Sequence, residues 1–214
     1  PVTVDLDTQT SSVGDAISSI ENVIGTGNND TFVSDSNANT FDGGLGSDTV
    51  AYTAATAGVT VDLDAGTATG DGVDTLISIE NITGSNFGDD LTGDANTNLI
   101  VGGTGDDIIN GGGGNDNLQG GAGLDTLDYT GFGSGVSIDL VNQLVDTGDT
   151  ISGFENATGT AFNDILLGDA GDNILIAGDG DDSLVGGAGD DTIDGGNGSD
   201  FWSFAPSTTA VNVD

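Results

Sequence analysis

Residues 102–128 read GGTGDDIINGGGGNDNLQGGAGLDTLD. Cut into nines they become GGTGDDIIN, GGGGNDNLQ and GGAGLDTLD, with glycine at positions one, two and four, aspartate at six and an aliphatic residue at eight. Glycine enters left-handed backbone conformations that a Cβ resists, so the first six residues read as a turn that draws carbonyl oxygens inward. In the last three, an apolar residue stands between two outward ones, which reads as a short strand whose middle side chain faces inside. Two units make an 18-residue coil, and stacked coils give two parallel sheets back to back. One coil cannot bury its apolar side alone, whereas several can.

The same register fits residues 25–51, 84–128 and 159–203, in uninterrupted blocks of three, five and five units. Position eight is then Phe32, Phe41, Val50, Leu91, Ile100, Ile109, Leu118, Leu127, Leu166, Leu175, Leu184, Ile193 and Trp202, apolar every time. Position six is Asp except at Asn39, Asn98 and Asn173, always the second unit of a block. A longer period overlies the short one: VTVDL begins at Val2 and Val59, VSIDL at Val136 and a truncated VNVD at Val211. The organisation expected is one continuous solenoid over 1–214, with super-repeats at 1–58, 59–135 and 136–210 and the start of another at 211–214. Because both ends fall on a module edge, the chain reads as a segment of a longer tandem array.

Composition sharpens the reading. The 214 residues include no Lys, Arg or His against 36 acidic residues, a formal charge of −36. Only Glu21, Glu80 and Glu155 are glutamates; the rest are the shorter, stiffer Asp. Salt bridges cannot neutralise this charge. The 35% hydrophobic content, held in phase, argues against a disordered acidic tail or a glycine-rich linker. With no cysteine there is no disulfide or thiolate metal site. No apolar run reaches spanning length and no basic, apolar leader opens the sequence. A chain without cations repels a phosphate backbone, which excludes nucleic acid.

Stacking places position-six side chains 18 residues apart side by side, and unpaired carboxylates there would repel one another. The pairs within blocks are Asp30/Asp48, Asp89/Asp107, Asn98/Asp116, Asp107/Asp125, Asp164/Asp182, Asn173/Asp191 and Asp182/Asp200. A cation between each pair resolves the repulsion. Oxygen-only ligands, several carboxylates and turn carbonyls without His or Cys suit a hard ion of flexible coordination, calcium rather than magnesium. About seven calcium ions are expected.

At this point the sequence resembles the RTX (repeats-in-toxin) family, whose glycine-rich nonapeptide GGxGxDxUx forms a parallel β-roll with calcium between turns. The resemblance covers all thirteen units; Thr26, Ser85, Thr160 and the three Asn depart from it. It implies an all-β, right-handed parallel β-roll or β-helix solenoid. It also implies export by a type I system and a chain that folds outside the cell, where calcium is plentiful.

Simpler readings belong beside these. Trp202, the only tryptophan, reads as core rather than as a sugar platform because it occupies position eight. The VTVDL stretches read as extra strands, with Asp5, Asp62 and Asp139 solvated. No triad or Schiff base is possible without His, Cys or Lys, and a carboxylate pair repeated at every coil is a structural ladder rather than a glycosidase site, so no enzyme activity is expected. Two roles remain: a calcium-rigidified filament, stalk or adhesin segment at the cell surface, able to self-associate into fibres or a layer, or an accessory module that helps a secreted enzyme to export and fold. Unequal tandem super-repeats favour the first.

Counting nine back from each block gives AISSIENVI, TLISIENIT and TISGFENAT, with Glu21, Glu80 and Glu155 at position six and Val23, Ile82 and Ala157 at position eight. The roll is therefore expected to begin half a turn before its glycines. Eighteen residues beyond these glutamates stand Asn39, Asn98 and Asn173. A Glu–Asn pair carries one charge where two Asp carry two, so calcium is expected to bind there poorly, with the Asn amide donating to the Glu carboxylate instead.

Overall fold

The computed structural model describes residues 1–203. Residues 204–210 and the repeat start at 211–214 lie outside them. The described residues form strands and turns without a helix, arranged as a 13-stranded and an 11-stranded sheet. Successive strands alternate between the sheets: Thr31–Val33 joins the first, Thr40–Asp42 the second and Thr49–Ala51 the first again. Parallel neighbours pair 18 residues apart, as in Thr31↔Thr49, Leu99↔Asn117 and Ile165↔Ser183. The β-roll coil follows directly from the nine-residue period.

The core is the space between the sheets. Position-eight side chains from Phe32 to Leu184 are buried, and Phe32 stacks on Phe41 from the opposite sheet at 5.5 Å between ring centroids. The glutamate units behave as expected: strands Asn22–Ile24, Asn81–Thr83 and Asn156–Thr158 carry Val23, Ile82 and Ala157 inward, in register with Phe41, Ile100 and Leu175. Trp202 departs from expectation and is 45% exposed. Its strand ends the 13-stranded sheet and has a neighbour on one side only among the described residues.

The VTVDL strands Thr3–Asp5, Thr60–Asp62 and Ser137–Asp139 pair in parallel with the first nonapeptide strand of their own block. Each then doubles back. Asp5, Asp62 and Asp139 are turn residues rather than merely solvated ones, each accepting the main-chain N–H three residues on, at 2.8, 2.8 and 3.0 Å. The next residue, Gln9, Gly66 or Gln143, has a left-handed φ of 56°, 67° or 52°. Antiparallel strands follow at Thr10–Ser11, Thr67–Thr69 and Leu144–Val145. The lead-in is thus a hairpin inserted into the solenoid.

Inserts one and three lie in the 13-stranded sheet and insert two in the 11-stranded sheet. The reason is parity. From Thr3–Asp5 the chain passes Asn22–Ile24, Thr31–Val33, Thr40–Asp42 and Thr49–Ala51, an odd number of half-turns, so Thr60–Asp62 lands on the opposite face.

Candidate metal ladder at the turns

At every pair expected from the sequence, the main-chain N–H of the earlier position-six residue donates to the Oδ1 of the later one. The bonds are Asp30 to Asp48 at 2.6 Å, Asp89 to Asp107 and Asp107 to Asp125 at 2.9 Å, and Asp164 to Asp182 at 2.7 Å. On the Asn-containing rungs and the last one they are Asn98 to Asp116 at 2.9 Å, Asn173 to Asp191 at 3.0 Å and Asp182 to Asp200 at 3.1 Å. The side chain hangs back toward the preceding coil, so it is the later member that presents a carboxylate. Its Oδ1 is engaged, which makes the fate of Oδ2 the chemical question.

The position-two residue decides that fate. Where it is Thr26, Ser85 or Thr160, its N–H donates to Oδ2 of Asp30, Asp89 or Asp164 at 2.5, 2.6 and 2.6 Å. The Oδ1 atoms of these residues accept from Val2, Val59 and Val136 at 2.7, 2.8 and 2.7 Å, so both oxygens of each are engaged. Where position two is glycine, as at Gly44, Gly103, Gly112, Gly121, Gly178, Gly187 and Gly196, φ is positive, +116° at Gly103 for example. A left-handed residue turns its N–H away from the carboxylate, a conformation that Thr or Ser adopts only at a penalty. In five of these turns Oδ2 is buried with no hydrogen-bond partner: Asp48, Asp107, Asp116, Asp125 and Asp182.

The acidity follows this division. Burial raises Asp48, Asp125 and Asp182 above the usual carboxylate range, takes Asp107 up to about 7 with help from Asp89 and Asp125, and takes Asp116 up to about 6. Burial also pushes Asp30 upward, but hydrogen bonds from Thr26 and Val2 outweigh it and hold the group below its ordinary value. The orphaned oxygens therefore need an external positive partner, and the capped ones have an internal one. Among the described residues no three Asp or Glu side chains converge as a ready-made cage. Where several carboxylates per site were expected, the turns bring together at most two, beside turn carbonyls that are also suitable ligands for a hard ion.

Four buried turn carboxylates whose Oδ2 has no protein donor, each joined to a glycine-glycine turn of a parallel roll, and a fifth at Asp182 behind Ala177–Gly178, are the decisive feature. The family model for the RTX calcium-binding nonapeptide repeat matches four times, at residues 18–50, 92–127, 149–184 and 167–201, together more than half of the chain. The chain belongs to the RTX calcium-binding nonapeptide repeat family. RTX repeats of this kind bind calcium, and the residues present fit that ion. No curated protein matches the chain. Two of the RTX matches start before the glycines, at residues 18 and 149, taking in the glutamate units.

The RTX pattern leaves the Glu–Asn pairs to be corrected. The amides of Asn98 and Asn173 donate to the main-chain carbonyls of Glu80 and Glu155, at 2.8 and 2.7 Å, and not to the carboxylates. Those carboxylates face the preceding coil like the position-six Asp carboxylates, accepting the N–H of Asp48 at 2.8 Å and of Asp125 at 2.9 Å. The Asn residues serve their own turns. Each donates to the position-two Asp, Asn39 to Asp35 at 3.0 Å and Asn98 to Asp94 and Asn173 to Asp169 at 3.2 Å, where a second carboxylate would be repelled.

Counting by 18 also missed rungs across the inserts. Asn39 N–H donates to Asp74 at 2.9 Å and Asp116 N–H to Asp149 at 2.8 Å. The second oxygens of those carboxylates accept the Tyr52 hydroxyl at 3.0 Å and the Tyr129 hydroxyl at 2.6 Å. A phenol thus stands where a cation would otherwise be needed. The signal was present in the sequence: Asp15, Asp74 and Asp149 each precede Glu21, Glu80 or Glu155 by six residues, and Tyr52 and Tyr129 open the stretches YTAATAG and YTGFGSG that follow the first two nonapeptide blocks.

Proposed function

We propose that this RTX chain is a calcium-rigidified structural segment of a large secreted repeat protein, acting as a surface filament, stalk or adhesin module without catalytic activity of its own. The observation that carries it is the run of buried, partnerless carboxylate oxygens from Asp48 to Asp182, spread along the solenoid instead of gathered at one site. Calcium is assigned to the turns of Asp48, Asp107, Asp116, Asp125, Asp182, Asp191 and Asp200, the seven with glycine at position two. Asp30, Asp89, Asp164, Asn98 and Asn173 shape the turns from within and hold no ion. Calcium supplies the positive charge that a chain without Lys, Arg or His cannot.

Sheets that continue through inserts two and three support a stiff rod, as 13 strands side by side span roughly 60 Å. Among the described residues no helix is long and apolar enough to cross a membrane. Export to a calcium-rich exterior, common among RTX proteins, couples folding to release, since the sites exist only in the folded chain. The test is circular dichroism with calcium counting. Chelated protein is largely unstructured, and millimolar calcium produces a β-type spectrum and a rod of that length by small-angle scattering, with about seven ions bound. The same spectrum with and without calcium, or two ions or fewer, overturns the proposal.

A further inference from the structure

The hairpin turn Gly70–Asp71–Gly72 lies off the ladder, and its carboxylate has no explanation there. Asp71 is only 8% exposed, and its Oδ2 is buried with no hydrogen-bond partner. It borders a cavity of about 240 Å³ together with Asp7, Gln9, Asp35, Ser36 and Thr56. The carboxylates of Asp74, Asp35 and Asp7 all act on it. The donors on the neighbouring carboxylates are taken by those carboxylates, and no side chain bordering the cavity donates to the buried Asp71 oxygen. Asp35 takes the Asn37 N–H, the Asn37 amide and the Asn39 amide. Asp74 takes the Asn39 N–H and the hydroxyls of Ser34 and Tyr52.

Asp7, Asp35 and Asp71, from two super-repeats, therefore border the same water-sized space without closing into a direct cage, with Asp74 behind Asp71, in a chain that has no side-chain cation. We infer that this corner is a second kind of divalent-cation site, with Asp71 as the direct ligand and Asp7, Asp35 and Asp74 neutralised through the ion's water. At roughly 30 Å³ per water, the cavity takes an ion with several waters of its shell. A hard divalent ion bound through one or two carboxylates and otherwise hydrated is the arrangement it fits.

The site also has a structural meaning. Asp7 and Asp35 belong to the first super-repeat and Asp71 and Asp74 to the second, so the ion ties one module to the next where the ladder is closed by Tyr52 rather than by metal. Insert three offers no counterpart: Asp146, which stands in the corresponding place before Asp149, is exposed and accepts the Ser137 N–H at 2.8 Å.

Equilibrium dialysis of the whole chain against calcium, and separately against magnesium, counts the ions. Asp71→Asn is nearly isosteric and binds one ion fewer than the wild type, while Asp107→Asn loses a different, ladder ion. Asp7→Asn, an exposed change that leaves the fold intact, raises the dissociation constant of the Asp71 ion several-fold without altering the ladder. If Asp71→Asn and Asp7→Asn both keep the wild-type count and affinities, Asp71 is a buried neutral acid and the inference is wrong. The ladder reading then stands or falls separately on Asp107→Asn.

Discussion

Asp89 and Asp107 are neighbours on one ladder, 18 residues apart and both fully buried, yet they respond to the same substitution in opposite ways. In Asp107→Asn the amide oxygen still accepts the Asp89 N–H, but the free Oδ2 becomes an NH₂ that cannot bind a cation. One ion is lost, and the dependence of unfolding free energy on calcium falls by about 1.4 kcal/mol per tenfold change in concentration. At a hundred times the site's dissociation constant the wild type gains about 2.7 kcal/mol over its calcium-free state that the variant does not gain. In chelator the sign reverses. A carboxylate raised from 3.8 to about 7 destabilises the folded chain at pH 8 by on the order of 4 kcal/mol, which Asn removes. The unsatisfied amide takes back about 1–3 kcal/mol, leaving a net gain between about 1 and 3 kcal/mol. Asp89→Asn does the reverse: its oxygens accept from Ser85 and Val59, so the variant loses roughly 1.5–3 kcal/mol in both conditions and keeps the wild-type calcium slope. Urea unfolding across a calcium series reads both quantities. Equal slopes for Asp107→Asn and wild type would refute the assignment of Oδ2 as ligand, and a reduced slope for Asp89→Asn would refute the capping argument.

Three further expectations follow from the same geometry. Tyr129→Phe removes the hydroxyl on Asp149 and lowers stability by roughly 1.5–3 kcal/mol at every calcium concentration with no change in bound ions; a lost ion would mean that Asp149 is itself a ligand. Gln9→Gly relieves a left-handed φ of 56° where insert two already has Gly66, and raises the thermal midpoint by the equivalent of about 1 kcal/mol; a lower midpoint would show that the Gln side chain matters more than the backbone. In chelator, Asp107 at about 7 and Asp116 at about 6 bind protons more tightly when folded than at the ordinary 3.8, so their stabilising contribution is complete below about 3.8 and disappears as pH rises through 6 to 7. Acidifying a chelated sample from pH 8 to 5 therefore increases β-type circular dichroism, and in calcium the same change weakens binding because protons compete for the carboxylates. Structure lost on mild acidification without calcium would contradict the burial argument.

The nine-residue period by itself determined the β-roll, the 18-residue pairing, the inward residues from Phe32 to Leu184 and the early half-turns at Val23, Ile82 and Ala157. These are legible because a stacked coil repeats at constant chain separation, so position in the repeat is position in space. What failed was whatever broke that constancy. The hairpins lengthen the separation between ladder partners from 18 to 33 residues at Asp116 and Asp149 and to 35 at Asn39 and Asp74, beyond any count by nines. Trp202 kept its place in the repeat but not its burial, because burial needs a neighbour that a period alone does not guarantee. Which carboxylate oxygen is left for a cation was decided only in three dimensions. It depends on where the position-two N–H points, on which coil the side chain leans toward, and on whether Tyr52 or Tyr129 arrives from elsewhere in the chain, or an Asn amide from within the same turn, to take its place.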